Sequence, residues 1–234
     1  MARRALAEFV GTGFLVTAVI GSGIAAQRLS PSDAGLQLLE NSLVTGAALV
    51  ALIIALQPVS AAFNPIVTLV ERALGALSGR QAAALVGAQV GGGLVGAVAA
   101  NLMFGVPAVS ISTHHRGGGG VLLGEVVATL GLLVVVFGTA RAGRGNQVAF
   151  AVGGYILAAY WFTSSTSFAN PAVTIARMFS DTFAGIAPGS VVGFVLMQLL
   201  GGGLGYATIR GLYPHAAAIA AGAVDDLTER PRHG

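Results

Sequence analysis

The pentapeptide Asn64-Pro65-Ile66-Val67-Thr68 recurs as Asn170-Pro171-Ala172-Val173-Thr174, and each copy stands between long apolar runs. Asn is a strong helix N-cap, and Pro fits the first helical position, where its missing N–H costs nothing. Each copy therefore reads as the start of a helix. The apolar pieces that follow, 65–77 and 171–179, are too short to cross a hydrocarbon core, which needs about 20 helical residues. Irregular backbone at membrane depth survives only when it is buried in protein or lines a water-filled cavity. A chain that opens a short helix twice in apolar surroundings must enclose both openings.

The surroundings are a bilayer. Six runs are long enough to span it: Ala5–Gln27, Gly35–Gln57, Gln81–Phe104, Val121–Ala140, Gln147–Phe162 and Gly189–Leu212. Only 9% of the 234 residues are charged and mean hydropathy is +0.81, whereas a soluble domain has roughly a quarter of its residues charged. The first run could pass for a signal peptide, but it is long for one and carries Glu8, so it is read as an uncleaved span. A net charge of +3 does not point to nucleic acid, because the arginines are scattered between the spans. With the N-terminus inside, Arg3, Arg4, Arg72, Arg80, Arg141, Arg144, Arg210, Arg230 and Arg232 fall on the cytoplasmic side, against Arg28, Arg116 and Arg177 outside. That bias puts both termini in the cytoplasm, and the use of arginine without lysine suggests a bacterial inner membrane. With no cysteine, thiolate and disulfide chemistry are excluded.

The chain repeats. Glu8 with its apolar run echoes Glu125 with its own, the two Asn-Pro boxes echo each other, and Gln89-Val-Gly-Gly-Gly echoes Gln198-Leu-Leu-Gly-Gly-Gly. Each repeat holds three spans, so the second enters the membrane upside down. The organisation expected is a first repeat at 1–113, a flexible outer linker at 114–120, a second repeat at 121–213 and a cytoplasmic tail at 214–234. Inversion brings the two short helices together by their N-termini near the midplane, where Asn64, Pro65, Asn170 and Pro171 form a polar constriction. Helix N-termini carry partial positive charge and free N–H groups, so the constriction repels cations and offers donors to passing solutes.

These features together, over residues 3–213, resemble the major intrinsic protein family of aquaporins and aquaglyceroporins. The resemblance rests on the Glu-Phe-x-Gly-Thr opening at Glu8, both boxes, Glu125 and the glycine-rich third and sixth spans. It implies an all-α membrane protein with six transmembrane helices plus two re-entrant half-helices, a pore in each subunit and a homotetramer. It also implies that Glu8 and Glu125 brace the re-entrant loops, in keeping with the cost of an unsatisfied carboxylate in a membrane. No cofactor or metal is implied. The partners expected are lipid, further copies of the chain, water and small neutral solutes, and no nucleic acid.

Three departures from the family pattern bear on selectivity. Ile66 replaces the usual alanine of the first box, Ala62 stands where many members have a histidine, and Val173 stands where the family's filter arginine belongs. The other filter positions carry over as Ser167, Ala158 and Thr45, or Val44 in place of Thr45 if the register slips by one. The set Thr45, Ala158, Ser167, Val173 is small and uncharged, which implies a filter wider than a strict water channel's. It should admit glycerol and neutral metalloid hydroxides such as arsenous acid, with methylated arsenicals beyond them. The second box also resembles a bacterial branch associated with arsenic resistance. Arg177, one helical turn beyond Val173, is expected to face the outer vestibule or cap a neighbouring loop. Cation exclusion then falls mainly to the midplane dipoles.

Other readings are weaker. A secondary transporter also uses inverted repeats, but no carboxylate stands near the boxes to hold a coupling ion. An intramembrane hydrolase built on Ser164–Ser167 has no base beside it. Within the channel class, the alternative is a general water and glycerol facilitator with a degenerate filter. The pair His114-His115 reads as a solvated loop, and the Gly-x-Gly patterns lack the strand context of a nucleotide site.

Overall fold

A computed structural model describes residues 1–213; the expected tail at 214–234 lies outside the described residues apart from its own description in sequence. Among the described residues the chain is wholly helical: α1 (Ala2–Leu29), α2 (Ala34–Leu56), α3 (Pro65–Ala73), α4 (Gly79–Met103), α5 (Gly119–Arg141), α6 (Val148–Phe162), α7 (Pro171–Arg177) and α8 (Pro188–Leu212). Six of these are transmembrane helices and α3 and α7 are re-entrant half-helices. Each start has a local cause. Asp33 caps α2 by accepting from Leu36 N at 2.9 Å, and Ser78 with Gln81 forms a reciprocal capping box on α4. Asn64 and Asn170 cap α3 and α7, with proline at the first helical position of each.

α6 begins one residue later than expected and, with 15 residues, is the shortest of the six spans, about 22 Å against a core of roughly 30 Å. A 3-10 turn over Gly145–Gln147 leads into it. The half-helices are also shorter than expected. α3 stops before Gly75, whose φ of +90° no other residue adopts easily. α7 stops at Arg177 because the next two carbonyls, of Met178 and Phe179, accept from Ser112 N at 2.9 Å and Ser110 N at 3.1 Å.

Those two bonds hold the segment that leads into the expected linker at 114–120, and further bonds reach His114, whose carbonyl accepts from Ala187 N at 2.7 Å, and Arg116. Thr113 donates twice to Asp181, from N at 2.8 Å and Oγ1 at 3.0 Å. Arg116 donates to the carbonyls of Gly185 and Phe183 at 2.9 and 3.0 Å.

The helices pack in like pairs. α1 lies on α4, and a Cβ on Gly92 or Gly96 would overlap the backbone of Phe9 or Gly13. α5 lies on α8, where a Cβ on Gly201 would stand 2.7 Å from the Val126 carbonyl oxygen. α2 meets α6 where Gly46 and Gly153 face each other, a Cβ on the first falling 3.0 Å from the other's oxygen. Lipid tails are as apolar as leucine, so helices in a bilayer associate through such close backbone approach rather than by hydrophobic burial. The opposite faces carry exposed Phe14, Val95, Phe150, Trp161, Val192 and Leu196, as a surface solvated by acyl chains requires.

Candidate functional site

Two carboxylates fix the geometry from behind. Glu8 is fully buried and accepts from Ser60 Oγ at 2.5 Å, Ala62 N at 2.9 Å, Phe63 N at 2.7 Å and Gln89 Nε2 at 2.7 Å. Glu125, equally buried, accepts from Phe168 N and Ala169 N at 2.9 Å each and from Gln198 Nε2 at 2.6 Å. Gln89 and Gln198 each donate again, to Thr68 Oγ1 at 2.9 Å and Thr174 Oγ1 at 2.8 Å, which ties carboxylate, half-helix and neighbouring span into one network.

The residues so held are strained. Phe63 and Ala169, each directly before a capping Asn, sit in the left-handed region at φ of 47° and 48°, and Thr166 and Ser167 join them at 61° and 49°. Such a conformation costs a non-glycine residue about 1–2 kcal/mol and persists only where its surroundings over-determine it. Here the N–H groups of Phe63 and Ala169 are bound by the carboxylates. Their carbonyls are bound crosswise: Asn64 Nδ2 donates to Ala169 O and Asn170 Nδ2 donates to Phe63 O, both at 2.8 Å. Each Asn Oδ1 meanwhile caps its own helix, at 2.9 Å from Ile66 N and 3.0 Å from Ala172 N. The two half-helices therefore meet by their N-termini, and each Asn keeps one amide hydrogen uncommitted.

The meeting point lies on a narrow cavity of about 80 Å³ that runs between the two halves. Toward the C-terminal end of α2 its wall is apolar: Leu49, Ile53, Val136, Val148 and Val152, with Ala62 beside Asn64. On the side of the joining segment, Thr45, Ile156, Tyr160, Ser167, Phe168, Val173 and Arg177 form the wall. Thr45 is in the wall and Val44 is exposed. Ser167 Oγ is buried with no hydrogen-bond partner among the described residues. Ile66 is absent from the wall and packs in a cluster with Val67, Leu74, Leu133 and Ile209.

Ala158 requires correction. It is exposed and lies on the face of α6 away from the cavity, while Val152, Ile156 and Tyr160 face in. Two residues along a helix turn the side chain by about 200°, so the inward position in this turn belongs to Tyr160. The Tyr160 hydroxyl lies 3.2 Å from Thr45 Oγ1. The expectation of an uncharged wall is corrected as well. Arg177, 2% exposed, lines the cavity near Val173, with its guanidinium carbon 3.5 Å from the centroid of the Phe168 ring and Nε donating to Ala184 O. Phe168 in turn packs edge-on against Phe194 at 5.0 Å. Neither Tyr160 nor Phe168 was singled out by the sequence pattern. The signal for Tyr160 was its i+4 spacing from Ile156.

On the same side, in the joining segment, Arg116 stands 5.2 Å from the Phe168 centroid. Desolvation lowers its pKa, and desolvation followed by the charge of Arg116 pushes His114 below its ordinary value. At neutral pH the fixed charge of this segment is thus Arg116, with His114 neutral.

Comparison with known proteins places this arrangement. Residues 1–153 match the sequence model of the family described as major intrinsic protein. The chain is 48% identical over 220 residues, 94% of each chain, to the aquaglyceroporin AqpS of Rhizobium meliloti (strain 1021). Among solved structures, the aquaglyceroporin from Plasmodium falciparum matches at a TM-score of 0.70 and 18% identity, covering 93% of this chain and 99% of that one, which shows a common fold.

Proposed function

Since the chain belongs to the major intrinsic protein family, it is a membrane channel and not an enzyme, and we propose that its pore passes small neutral solutes, glycerol and neutral metalloid hydroxides such as arsenous acid among them. The observation that carries this reading is Val173, 5% exposed and in the cavity wall at the position where the family resemblance expects an arginine. A valine there removes a long donor side chain from the aperture. Thr45 and Ser167 leave hydroxyls to meet those of a polyol, and Asn64 and Asn170 add one amide donor each at the midplane. The likeness to an aquaglyceroporin over nearly the whole chain supports glycerol. Arsenous acid follows from its chemistry, as an uncharged trihydroxide of similar size, and methylated arsenicals are the larger members of the same class.

In this reading Glu8 and Glu125 brace the loops, Asn64, Pro65, Asn170 and Pro171 form the midplane, and Thr45, Ser167 and Val173 shape the filter with Tyr160. The chain works as a homotetramer in a bacterial inner membrane with both termini cytoplasmic, as its arginine distribution favours. Residues 1–113 and 121–213 act as the two inverted repeats.

The test is stopped-flow light scattering on proteoliposomes, comparing the wild type with Val173→Arg for water, glycerol and arsenous acid. The wild type is expected to pass all three and the variant to lose the two larger solutes by about tenfold or more, the scale of one added donor and lost width in a narrow pore. A wild type that passes water alone sinks the proposal. Equal loss of all three in the variant places the aperture elsewhere.

A further inference from the structure

A buried arginine without a carboxylate needs an account, because removing its charge from water is costly unless the charge is paired and hydrogen-bonded. Arg177 is such a residue. Among the described residues it forms no ion pair, and Glu125 spends its oxygens on Phe168 N, Ala169 N and Gln198. Nε is bound to Ala184 O and the guanidinium rests on the Phe168 ring. Those contacts hold the group in place and use one of its five donors. Tyr160 is the side chain that meets its terminal nitrogens, and the residue forms part of the cavity wall with Tyr160, Ser167 and Val173.

We propose that Arg177 is the pore's cation barrier and its charged donor to the permeating solute, acting from one turn beyond the position that Val173 leaves apolar. The proposal rests on the channel reading above. Four residues along α7 displace the charge by about 6 Å toward the joining segment. At that level it still faces the lumen, but it no longer occupies the aperture beside Val173. Charge selection and size selection are thereby divided between two levels of one pore. A fixed positive charge in a narrow, low-dielectric passage repels a cation far more strongly than it would in water. Phe168 holds the planar guanidinium by its face, a contact that suits arginine better than lysine.

Urea and the guanidinium cation are nearly the same size and shape and differ in charge, so the ratio of their permeabilities reads charge selection apart from width. Proteoliposomes carrying the wild type, Arg177→Gln or Arg177→Lys are assayed for both. The wild type is expected to pass urea and reject guanidinium. Arg177→Gln is expected to raise the guanidinium-to-urea ratio by about tenfold or more whatever it does to urea flux itself, and Arg177→Lys to keep the rejection. If the glutamine variant passes urea and still rejects guanidinium, the midplane dipoles suffice and the proposal is overturned. If the glutamine variant loses urea flux through collapse, the lysine variant decides: urea flux with rejection supports the proposal, and urea flux with leak overturns it. Loss of both fluxes in both variants assigns Arg177 to folding alone and overturns it. A wild type closed to urea overturns this proposal, because width then excludes both probes before charge can act, and it leaves the glycerol reading to its own test.

Discussion

Glu125 illustrates what a carboxylate does when no water reaches it. Its two oxygens face three donors, with Phe168 N on Oε1 and both Ala169 N and Gln198 Nε2 on Oε2. An amide in its place puts an NH₂ group against at least one donor whichever way it turns. Glu125→Gln is therefore expected to destabilise the protein by about 3 kcal/mol, the scale of a buried network broken on one side, and to lower the apparent Tm in detergent. An unchanged Tm would mean that the loop holds its shape without the carboxylate. The carboxylates, the Asn-Pro boxes and Val173 could be read from the sequence because each is anchored to a motif. Ala158 could not be placed the same way. Counting back from Asn170 crosses Thr163 to Ala169, where Thr166, Ser167 and Ala169 are left-handed and the backbone obeys no helical period. Across such a loop a fixed offset does not carry a side-chain direction. Arg177 was expected at the vestibule or capping a loop, and which way it turns depends on Phe168 and the Ala184 carbonyl, neither of which its distance from Val173 reveals.

At the scale of the element, the glycine seams decide how closely the spans approach. In α4, Gly92 faces the Phe9 backbone so closely that a Cβ has no room, whereas Gly203 in α8 has nothing within 4 Å of where a Cβ would be. Gly92→Ala is expected to force α1 and α4 apart at a cost of about 2 kcal/mol or more, reducing the monodisperse fraction after extraction. Gly203→Ala, on open space, is expected to leave that fraction as it is. If the two substitutions behave alike, the seam is not what sets the helix spacing. The six spans were legible because each apolar run is long, and their ends fall within a few residues of the expected ones. The pinned joining segment was not, because it depends on Asp181, a residue that lies far along the chain from the Thr113 it binds.

For the whole molecule, the crosswise bonds from Asn64 to Ala169 and from Asn170 to Phe63 join the two halves at one point. Nothing in that junction distinguishes the two directions of travel, and among the described residues no group of acidic or histidine side chains stands beside it to hold a coupling ion. Glycerol flux is expected to be linear in the gradient and equal from either face of the membrane, measured in right-side-out and inverted vesicles. Saturation at low concentration, or dependence on a proton or sodium gradient, would make the chain a transporter instead. The same junction has an electrical consequence. The two half-helix dipoles point at each other, so as potentials they add into one barrier at the midplane, while as vectors along the membrane normal they oppose and largely cancel. A transmembrane voltage does work only on a net displacement of charge or dipole, and here it finds little to turn. The paired half-helices themselves should therefore keep their arrangement whether the cell is energised or at rest.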